Sequence, residues 1–260
     1  MTTFRGILEI TAEEWLAELG WTLADVPDLV VVEGTWWREA RTRWRLGYLT
    51  DVQELPFPDI FTGSWKGRRV AFCCAYGAAR TAEVIHLFGM LGTRLAVQIG
   101  TCGGLQQHLR PGDVVVPDRA IALDGVAPLY GAADSAGGSA AWSARARDLL
   151  QQRGCVVHRG VHLTWPTLFA QTGELCAGWH AQGYLSVDME TATTFAVSER
   201  FGMPATSLLV VWDELTRGRS FLDPLSGSDR DALDRSNAAV FEVALRLAEH
   251  LGGDGHTGVP

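Results

Sequence analysis

The chain is poor in lysine and carries an excess of acidic residues. Lys66 is its only lysine, and 22 lysines and arginines stand against 30 aspartates and glutamates, which gives a formal net charge of -8 at pH 7. Nucleic-acid binders normally present a basic face, so this balance argues against nucleic acid as a partner. An anionic small molecule is not excluded, because a few arginines in a cleft set the local potential.

Cysteine frameworks and long apolar runs are also missing. The five cysteines are an odd number without framework spacing, and Cys73 and Cys74 lie inside an apolar run, which indicates reduced, buried thiols. Spaced Cys or His pairs are lacking, so we expect no metal site. The N-terminus has no signal-peptide pattern, and no apolar run approaches the roughly 18 residues of a membrane span. These absences predict a cytoplasmic protein without a membrane partner.

What the sequence does contain is a regular alternation of buried runs and helical patterns. Its 260 residues, 47% of them hydrophobic, suit one α/β domain over residues 1–260, with a disordered tail at 251–260. Segment 47–62, with two prolines, is expected to be irregular or an edge strand. The predicted strands are 28–32, 69–75, 95–99, 113–116, 155–165, 186–188 and 206–212. A short helix is predicted to begin near residue 11, and further helices are predicted over 80–90, 139–153, 172–182, 189–201 and 230–251.

A glycine-rich stretch follows the third predicted strand. The apolar run 95–99 ends at Gly100, after which come Thr101 and the pair Gly103 and Gly104. Glycine lets the backbone turn sharply and approach a ligand closely. A hydroxyl at the carboxyl end of a buried strand is well placed to meet an anion or a sugar. The same residues also suit a plain turn between two core strands, so the stretch alone leaves both interpretations open.

Three motifs in order carry a resemblance to a known family. They are Ile99-Gly100-Thr101-Cys102-Gly103-Gly104 followed by Pro111-Gly112-Asp113-Val114-Val115, then Val187-Asp188-Met189-Glu190-Thr191-Ala192, then Val210-Val211-Trp212-Asp213. Together they resemble the nucleoside phosphorylase family, in the branch with hexameric purine and uridine phosphorylases and related nucleosidases. The resemblance covers roughly residues 28–251. It implies an α/β fold with a central, mixed, twisted sheet flanked by helices.

The resemblance also implies an activity and an assembly. Enzymes of this family cleave the N-glycosidic bond of a nucleoside through an oxocarbenium-like sugar, with inorganic phosphate as co-substrate and no cofactor. The protein then has to bind the anion, hold the ribose hydroxyls and assist the leaving base. A homodimer, or a hexamer built as a trimer of dimers, is expected.

The sugar side of the site follows from the second motif. Met189 and Glu190 match the family's ribose-binding pair, in which the carboxylate accepts charge-assisted hydrogen bonds from the 2′ and 3′ hydroxyls. Thr101 matches the hydroxyl that bridges phosphate and sugar. Without the resemblance, Glu190 would be interpreted as an ordinary carboxylate at a helix N-terminus.

The base side of the site is expected near the third motif. Phe169 matches the aromatic residue that stacks on the base, although it also suits a core position. Asp213 matches the carboxylate that assists the leaving purine, although a turn cap is the alternative. The remaining base-side candidates are Trp212, which replaces a small residue and narrows the pocket, Gly103, and Arg235 as the second catalytic group, with Arg230 as its alternative.

The phosphate side departs from the family. Gly34 and Arg38 keep the spacing of an early phosphate-binding loop, although Arg38 also suits a solvated surface. Gln98 stands where relatives have arginine, so it can hydrogen-bond a phosphate without neutralising it, a loss of about 1.5–3 kcal/mol. Arg80, at a helix start, either compensates for that charge or points to solvent.

Three functions remain open on this basis. The first is a phosphorylase acting on a purine or modified nucleoside, with a phosphate site altered at Gln98. The second is a nucleosidase in which water replaces phosphate, and the third is a nucleoside- or base-binding homologue with little turnover. Uridine is disfavoured, because Gly173 and Leu175 occupy the positions at which uridine phosphorylases read uracil with glutamine and arginine.

Overall fold

A twisted β-sheet that mixes parallel and antiparallel pairs forms the centre of the molecule. The computed structural model describes residues 6–252. The strands of this part are β1 (Leu29–Gly34), β2 (Thr50–Glu54), β3 (Ile60–Trp65), β4 (Arg68–Cys74), β5 (Leu95–Gly104), β6 (Val114–Val115), β7 (Arg119–Ala122), β8 (Ser135–Gly137), β9 (Val157–His158), β10 (Val161–Thr164), β11 (Ser186–Asp188) and β12 (Ala205–Glu214). Their order is β2-β3-β4-β1-β5-β11-β10-β7-β8, with β12 also on β5 and β6 joining β12 to β9.

Helices cover both faces of this sheet and confirm the predicted α/β fold class. Helices α3 and α6 pack on one face, and α4 and α7 pack on the other. The helices of the described chain are α1 (Ala12–Leu19), α2 (Arg38–Leu46), α3 (Ala78–Met90), α4 (Ala140–Gln152), α5 (Gly173–Ala181), α6 (Thr191–Arg200) and α7 (Gly227–Ala248).

The central strands are apolar on both sides because both faces are covered. In β1, Val30 and Val32 pack into the core under α3 and α6, whereas Leu29 and Val31 pack into the core under α7. This alternation follows from the two-residue period of a strand. It explains why the chain shows near-continuous apolar runs rather than an alternating pattern.

Strand β5 is longer than its sequence suggests. Gly100 was expected to end it, yet the strand continues through Gly104 and pairs with β12 along its length. Gly100 serves close backbone packing rather than a turn, because a Cβ there would lie only 2.8 Å from the Gly34 carbonyl oxygen. On its other side β5 pairs with β1 as far as Gly100 and with β11 from Gly103.

Three further segments differ from the expectation. Segment 47–62 contains an edge strand, β2, as one of its two expected forms had it, but it also contains the start of β3, which forms a hairpin with β2. Segment 155–165 is divided into β9 and β10 at residues 159–160. Helix α2 was missed, because its sequence is rich in arginine and lacks an apolar stripe; its buried residue is Arg45, which pairs with Glu33 of β1 at 2.8 Å.

The C-terminal end of the described residues packs against the core. Leu251, the first residue of the predicted tail, is buried in the core. Residues 253–260 of that tail lie outside the described residues. Within residues 6–252 no helix combines the length and the apolar character needed to cross a membrane.

Candidate functional site

A cavity of about 460 Å³ opens where β5 runs past the end of β1. Thr101 and Cys102 lie between the last β1 pair and the first β11 pair, so one edge of β5 is unpaired there. Such a switch point at the carboxyl ends of parallel strands is a common place for ligands. The residues predicted from the sequence that line it are Gly34, Thr101, Gly103, Phe169, Met189, Glu190, Trp212 and Asp213.

Glu190 lies between β11 and α6 and is held by backbone groups. Its Oε1 accepts a hydrogen bond of 2.7 Å from the Gly77 N–H, and its Oε2 accepts one of 3.3 Å from the Met189 N–H. Burial raises the pKa of Glu190 to about 8, and the negative charge of Asp188 acts in the same direction. The carboxyl therefore carries a proton for much of the time at neutral pH.

Asp213 reaches the cavity through an irregularity in β12. The pairing with β5 shifts between Val211 and Asp213, which places Trp212 in a bulge. Burial raises the pKa of Asp213 to about 6, although a hydrogen bond from the Phe221 N–H counteracts part of this effect. Its Oδ1 is buried, and nothing in the described chain hydrogen-bonds to it. A hydrogen-bonding group on a bound ligand would satisfy this atom.

Aromatic side chains form the mouth of the cavity. The Trp36 ring lies 5.6 Å from the Phe169 ring and 5.6 Å from the Tyr76 ring, centroid to centroid. Trp37 stacks on Trp212 at 5.4 Å with an interplanar angle of 24°. Phe169 is 78% exposed, so the structure places it at the cavity rather than in the core, the alternative that the sequence left open.

A buried polar cluster lies beneath Glu190 and accounts for Gln98. The Asp188 carboxylate accepts hydrogen bonds from Gln98 Nε2 (3.2 Å), Thr164 Oγ1 (3.0 Å) and Thr191 Oγ1 (2.6 Å). His162 Nε2 lies 2.8 Å from Asp188 Oδ1. The Thr191 hydroxyl also lies 2.8 Å from Gln98 Oε1. Gln98 is fully buried and both of its amide atoms are engaged, so the structure does not place it where it could contact an anion.

The predicted arginines do not reach the cavity. Arg38 is 61% exposed and pairs with Asp59 at 2.8 Å. Arg80 donates to the Pro58 carbonyl oxygen at 2.9 Å. Arg235 is an exposed residue of α7 outside the cavity lining. Among the lining residues of the described chain, none is arginine, lysine or histidine, whereas Asp188, Glu190 and Asp213 are acidic.

Several residues that line the cavity were not predicted from the sequence. Trp36 and Trp37 follow β1, and Tyr76 follows β4, where Gly77 donates to Glu190. The available signal was their position, because residues just after the carboxyl ends of parallel strands gather at one edge of the sheet. Phe221 and Leu222 come from the loop before α7 and had no comparable signal.

Gly34 provides a test of this geometry. A Cβ at Gly34 would lie 2.5 Å from Glu190 Oε2, so we expect Gly34→Ala to displace that carboxyl. The sequence resemblance implies a nucleoside substrate, and kcat/KM toward it should fall by about 10²-fold, as expected for a displacement on the order of 1 Å. Gly178→Ala in α5 is the matched control, because a Cβ there meets nothing within 4 Å. Equal activity of the two variants would contradict the described packing.

Comparisons with known proteins agree with this fold. A model of the phosphorylase superfamily matches residues 48–249. The chain is similar to a DeoD-type purine nucleoside phosphorylase of Alkaliphilus metalliredigens, with 28% identity over 196 residues, 73% of this chain and 80% of that protein. It is also similar to a guanosine phosphorylase of Halorubrum lacusprofundi, with 24% identity over 223 residues, 80% of this chain and 85% of that protein. Among solved structures, the uridine phosphorylase of Vibrio fischeri ES114 has a similar fold, with a TM-score of 0.75, 21% identity, and 88% and 94% of the two chains covered.

Proposed function

The chain belongs to the phosphorylase superfamily, which includes the nucleoside phosphorylases. We propose that it cleaves the N-glycosidic bond of a purine or modified nucleoside with inorganic phosphate. The observation that carries the proposal is that Glu190 and Asp213 line one cavity. Each has a raised pKa, near 8 and near 6 respectively. Two carboxyl groups with separated pKa values in one cavity are typical of acid–base sites.

Glu190 is assigned to the sugar. The hydrogen bonds from Gly77 and Met189 fix its carboxyl at the cavity wall, where it can bind ribose hydroxyl groups. These contacts orient the ring for attack at carbon 1, and the ionised carboxylate stabilises the positive charge that develops on the sugar. Thr101, on the unpaired edge of β5, supplies a neighbouring hydroxyl.

Asp213 is assigned to the leaving base. When protonated, it donates a hydrogen bond or a proton to a purine ring nitrogen as the bond to carbon 1 breaks, so the base leaves as a neutral species. Phe169 and the other mouth aromatics offer faces on which a planar base can stack. Gly173 and Leu175 carry no side-chain hydrogen-bonding group that could read a uracil ring, which favours a purine.

Phosphate binding requires Arg38 to leave Asp59. Arg38 is the first residue of α2, directly after the lining residues Trp36 and Trp37. A surface pair like Arg38–Asp59 contributes about 0–1 kcal/mol, so an incoming phosphate can displace Asp59 at little cost. In the homodimer or hexamer that we propose, a neighbouring subunit would add further groups at the open mouth.

The pairing of Arg38 gives a quantitative expectation. Asp59→Asn should lower the KM for phosphate by up to about fivefold, the value of a surface ion pair, because it releases the guanidinium. Arg38→Ala should raise the same KM by about tenfold, the loss of one charge-assisted bond. Arg43→Ala is the matched control, since Arg43 lies on the same helix and pairs with exposed Glu39 at 2.8 Å. If Arg38→Ala and Arg43→Ala behave alike, Arg38 is not a phosphate ligand.

Hydrolysis is the second candidate, and the charge of the cavity favours it. The lining described above contains three acidic residues and no basic one, an environment that attracts a cationic transition state and repels phosphate. In this alternative water attacks carbon 1 and releases its proton to solvent as the bond to the base breaks, while Glu190 and Asp213 keep their proposed roles.

One assay separates the candidates. Purified protein is incubated with purine and pyrimidine nucleosides, with and without phosphate, and free base and sugar products are followed. Release of base together with sugar 1-phosphate, only when phosphate is present, supports the first candidate. Release without phosphate, together with free sugar, replaces it by the hydrolase. Binding without release in either buffer would identify a binding homologue and overturn both enzymatic proposals.

A further inference from the structure

The polar cluster beneath Glu190 has no part in the reaction steps assigned so far. We call it the Asp188 cluster; its members are Gln98, His162, Thr164, Asp188 and Thr191. Each of these side chains is at most 5% exposed. Burying so many polar groups is costly unless all are paired, and apolar residues would fill the same space more cheaply. A cluster of this kind directly under a site carboxyl points to a role in the site.

We propose that Asp188 is a positioning residue for Glu190, held by Gln98 and His162 so that its hydrogen bonds and its charge fix both the place and the protonation of that carboxyl. The inference rests on the proposed role of Glu190 in binding the sugar. It assigns to Gln98 a task different from phosphate binding.

The hydrogen bonds account for the placement. Asp188 is the last residue of β11, and Gln98 and His162 come from β5 and β10, the strands on its two sides. The Gln98 amide therefore donates to the carboxylate from one side, and the His162 ring lies against it from the other side as an ion-pair partner. The Thr191 N–H also donates to both oxygens of Asp188, at 3.2 and 3.1 Å. These bonds lock the turn from Asp188 to Thr191, and Glu190 lies inside this turn.

The charge of Asp188 accounts for the protonation of Glu190. Burial alone would raise the pKa of Asp188, but the charge of His162 and the hydrogen bonds from His162 and Thr191 outweigh it and hold the pKa below its ordinary value. Asp188 thus stays ionised beside Glu190. The other titratable groups around the pair are Tyr76 and Cys102, whose pKa values are raised chiefly by burial, so both remain neutral near pH 7.

A glutamine at position 98 suits this arrangement better than an arginine would. The Gln98 amide donates to Asp188 and accepts from the Thr191 hydroxyl, and it adds no charge. An arginine has donors only and a permanent positive charge. It would take away the second acceptor of the Thr191 hydroxyl, which would keep only Asp188, and it would add a cation beside Asp188. The replacement that removes a cation from the expected phosphate site therefore preserves the field that acts on Glu190.

The test follows the titration of Glu190 in the ligand-free protein. Carbon-13 NMR of side-chain carboxyls, with the Glu190 signal assigned by its loss in Glu190→Gln, gives the midpoint directly. Asp188→Asn removes the negative charge beside Glu190, and Gln98→Arg adds a positive charge beside Asp188. Asp124→Asn is the control, because Asp124 is another buried carboxylate that hydrogen-bonds to a threonine of α6, Thr193, outside the Asp188 cluster.

We expect the Glu190 midpoint to fall by about one pH unit or more in Asp188→Asn and in Gln98→Arg, as the loss of a neighbouring like charge predicts. In Asp124→Asn it should stay in place. The alkaline limb of the activity profile should move with the NMR midpoint. An unchanged midpoint in either cluster variant that folds would overturn the proposal, even if activity were lost, because a merely structural role lowers stability without moving this titration. If the wild-type protein cleaves no nucleoside, the proposed function fails, and the NMR midpoints still decide the relation between Asp188 and Glu190.

Discussion

The Glu190→Ala variant is expected to lose about 10²- to 10⁴-fold in kcat/KM toward its nucleoside. The carboxylate is proposed to accept two hydrogen bonds from ribose hydroxyls, and bonds to a charged group contribute about 1.5–3 kcal/mol each. Each 1.36 kcal/mol corresponds to a factor of about ten in rate. Steady-state kinetics with the nucleoside identified by the product assay measure the loss directly.

Loss of activity in this variant must be distinguished from loss of fold, and Glu190→Gln does so. A carboxyl whose pKa rises from 4.5 to about 8 on folding makes the native state less stable as the pH rises through that interval, because the unfolded chain releases the proton earlier. Glutamine has no such proton, and its single amide oxygen can still accept from the Gly77 N–H, the shorter of the two hydrogen bonds. We therefore expect Glu190→Gln to have a higher melting temperature than the wild type at pH 8–9, and a much smaller difference below pH 4.

The two measurements together make the assignment refutable. A variant at position 190 that is well folded and fully active would remove Glu190 from the sugar site. A glutamine variant that is inactive and also less stable than the wild type at alkaline pH would show instead that folding does not raise the pKa of Glu190.

The second large effect concerns Asp213 and the pH dependence. We expect kcat/KM to follow a bell-shaped pH profile with limbs near pH 6 and pH 8, the values to which burial raises the pKa of Asp213 and Glu190. The reaction requires Asp213 to be protonated and Glu190 to be ionised. This state is less populated than the reverse one, because Glu190 has the higher pKa of the two groups. With these two values, about 1% of the enzyme has both groups in the required state at pH 7, where the profile peaks.

Single variants assign the two limbs. Asp213→Asn should lower kcat by about 10²- to 10⁴-fold, the usual contribution of a general acid. Its residual activity should rise up to about pH 8 and then level off, because only the ionisation of Glu190 remains. Glu190→Gln should show the opposite form, with residual activity that declines above about pH 6.

Two results would contradict the role proposed for Asp213. A wild-type profile that is flat between pH 5 and 9, or an Asp213→Asn variant that retains the fall above pH 8, would mean that Asp213 does not transfer the proton. In that case the base would leave with assistance from another group.

The sequence was sufficient for the fold and for half of the site, for a physical reason. Apolar runs and helical periodicity identify elements that are buried by the sheet, and the motifs after β5 and β11 and at the end of β12 lie at strand ends that the topology brings together. Thr101, Glu190 and Asp213 therefore meet in one cavity. Helix α2 escaped detection because its buried residue, Arg45, is stabilised by an ion pair with Glu33 rather than by apolar packing.

The charged groups could not be placed from the sequence, because their positions depend on distant partners. Arg38 pairs with Asp59, 21 positions away, and Gln98 bonds to Asp188, 90 positions away. Neither pairing leaves a local pattern in the chain. A long side chain with a competing acid nearby can point in several directions, so the position of its backbone does not fix the position of its charge.

The unpaired edge of β5 at Thr101 and Cys102 has a consequence for how such a protein can diversify. The cavity exists because one strand changes neighbours, which is a property of the backbone and does not depend on the side chains around it. Many of those side chains come from separate loops after β1, β4, β10, β11 and β12, and loops tolerate change better than the sheet that carries them. Evolution can therefore alter the substrate one loop at a time while the opening itself is inherited, and the tryptophan pair after β1 belongs to one such loop.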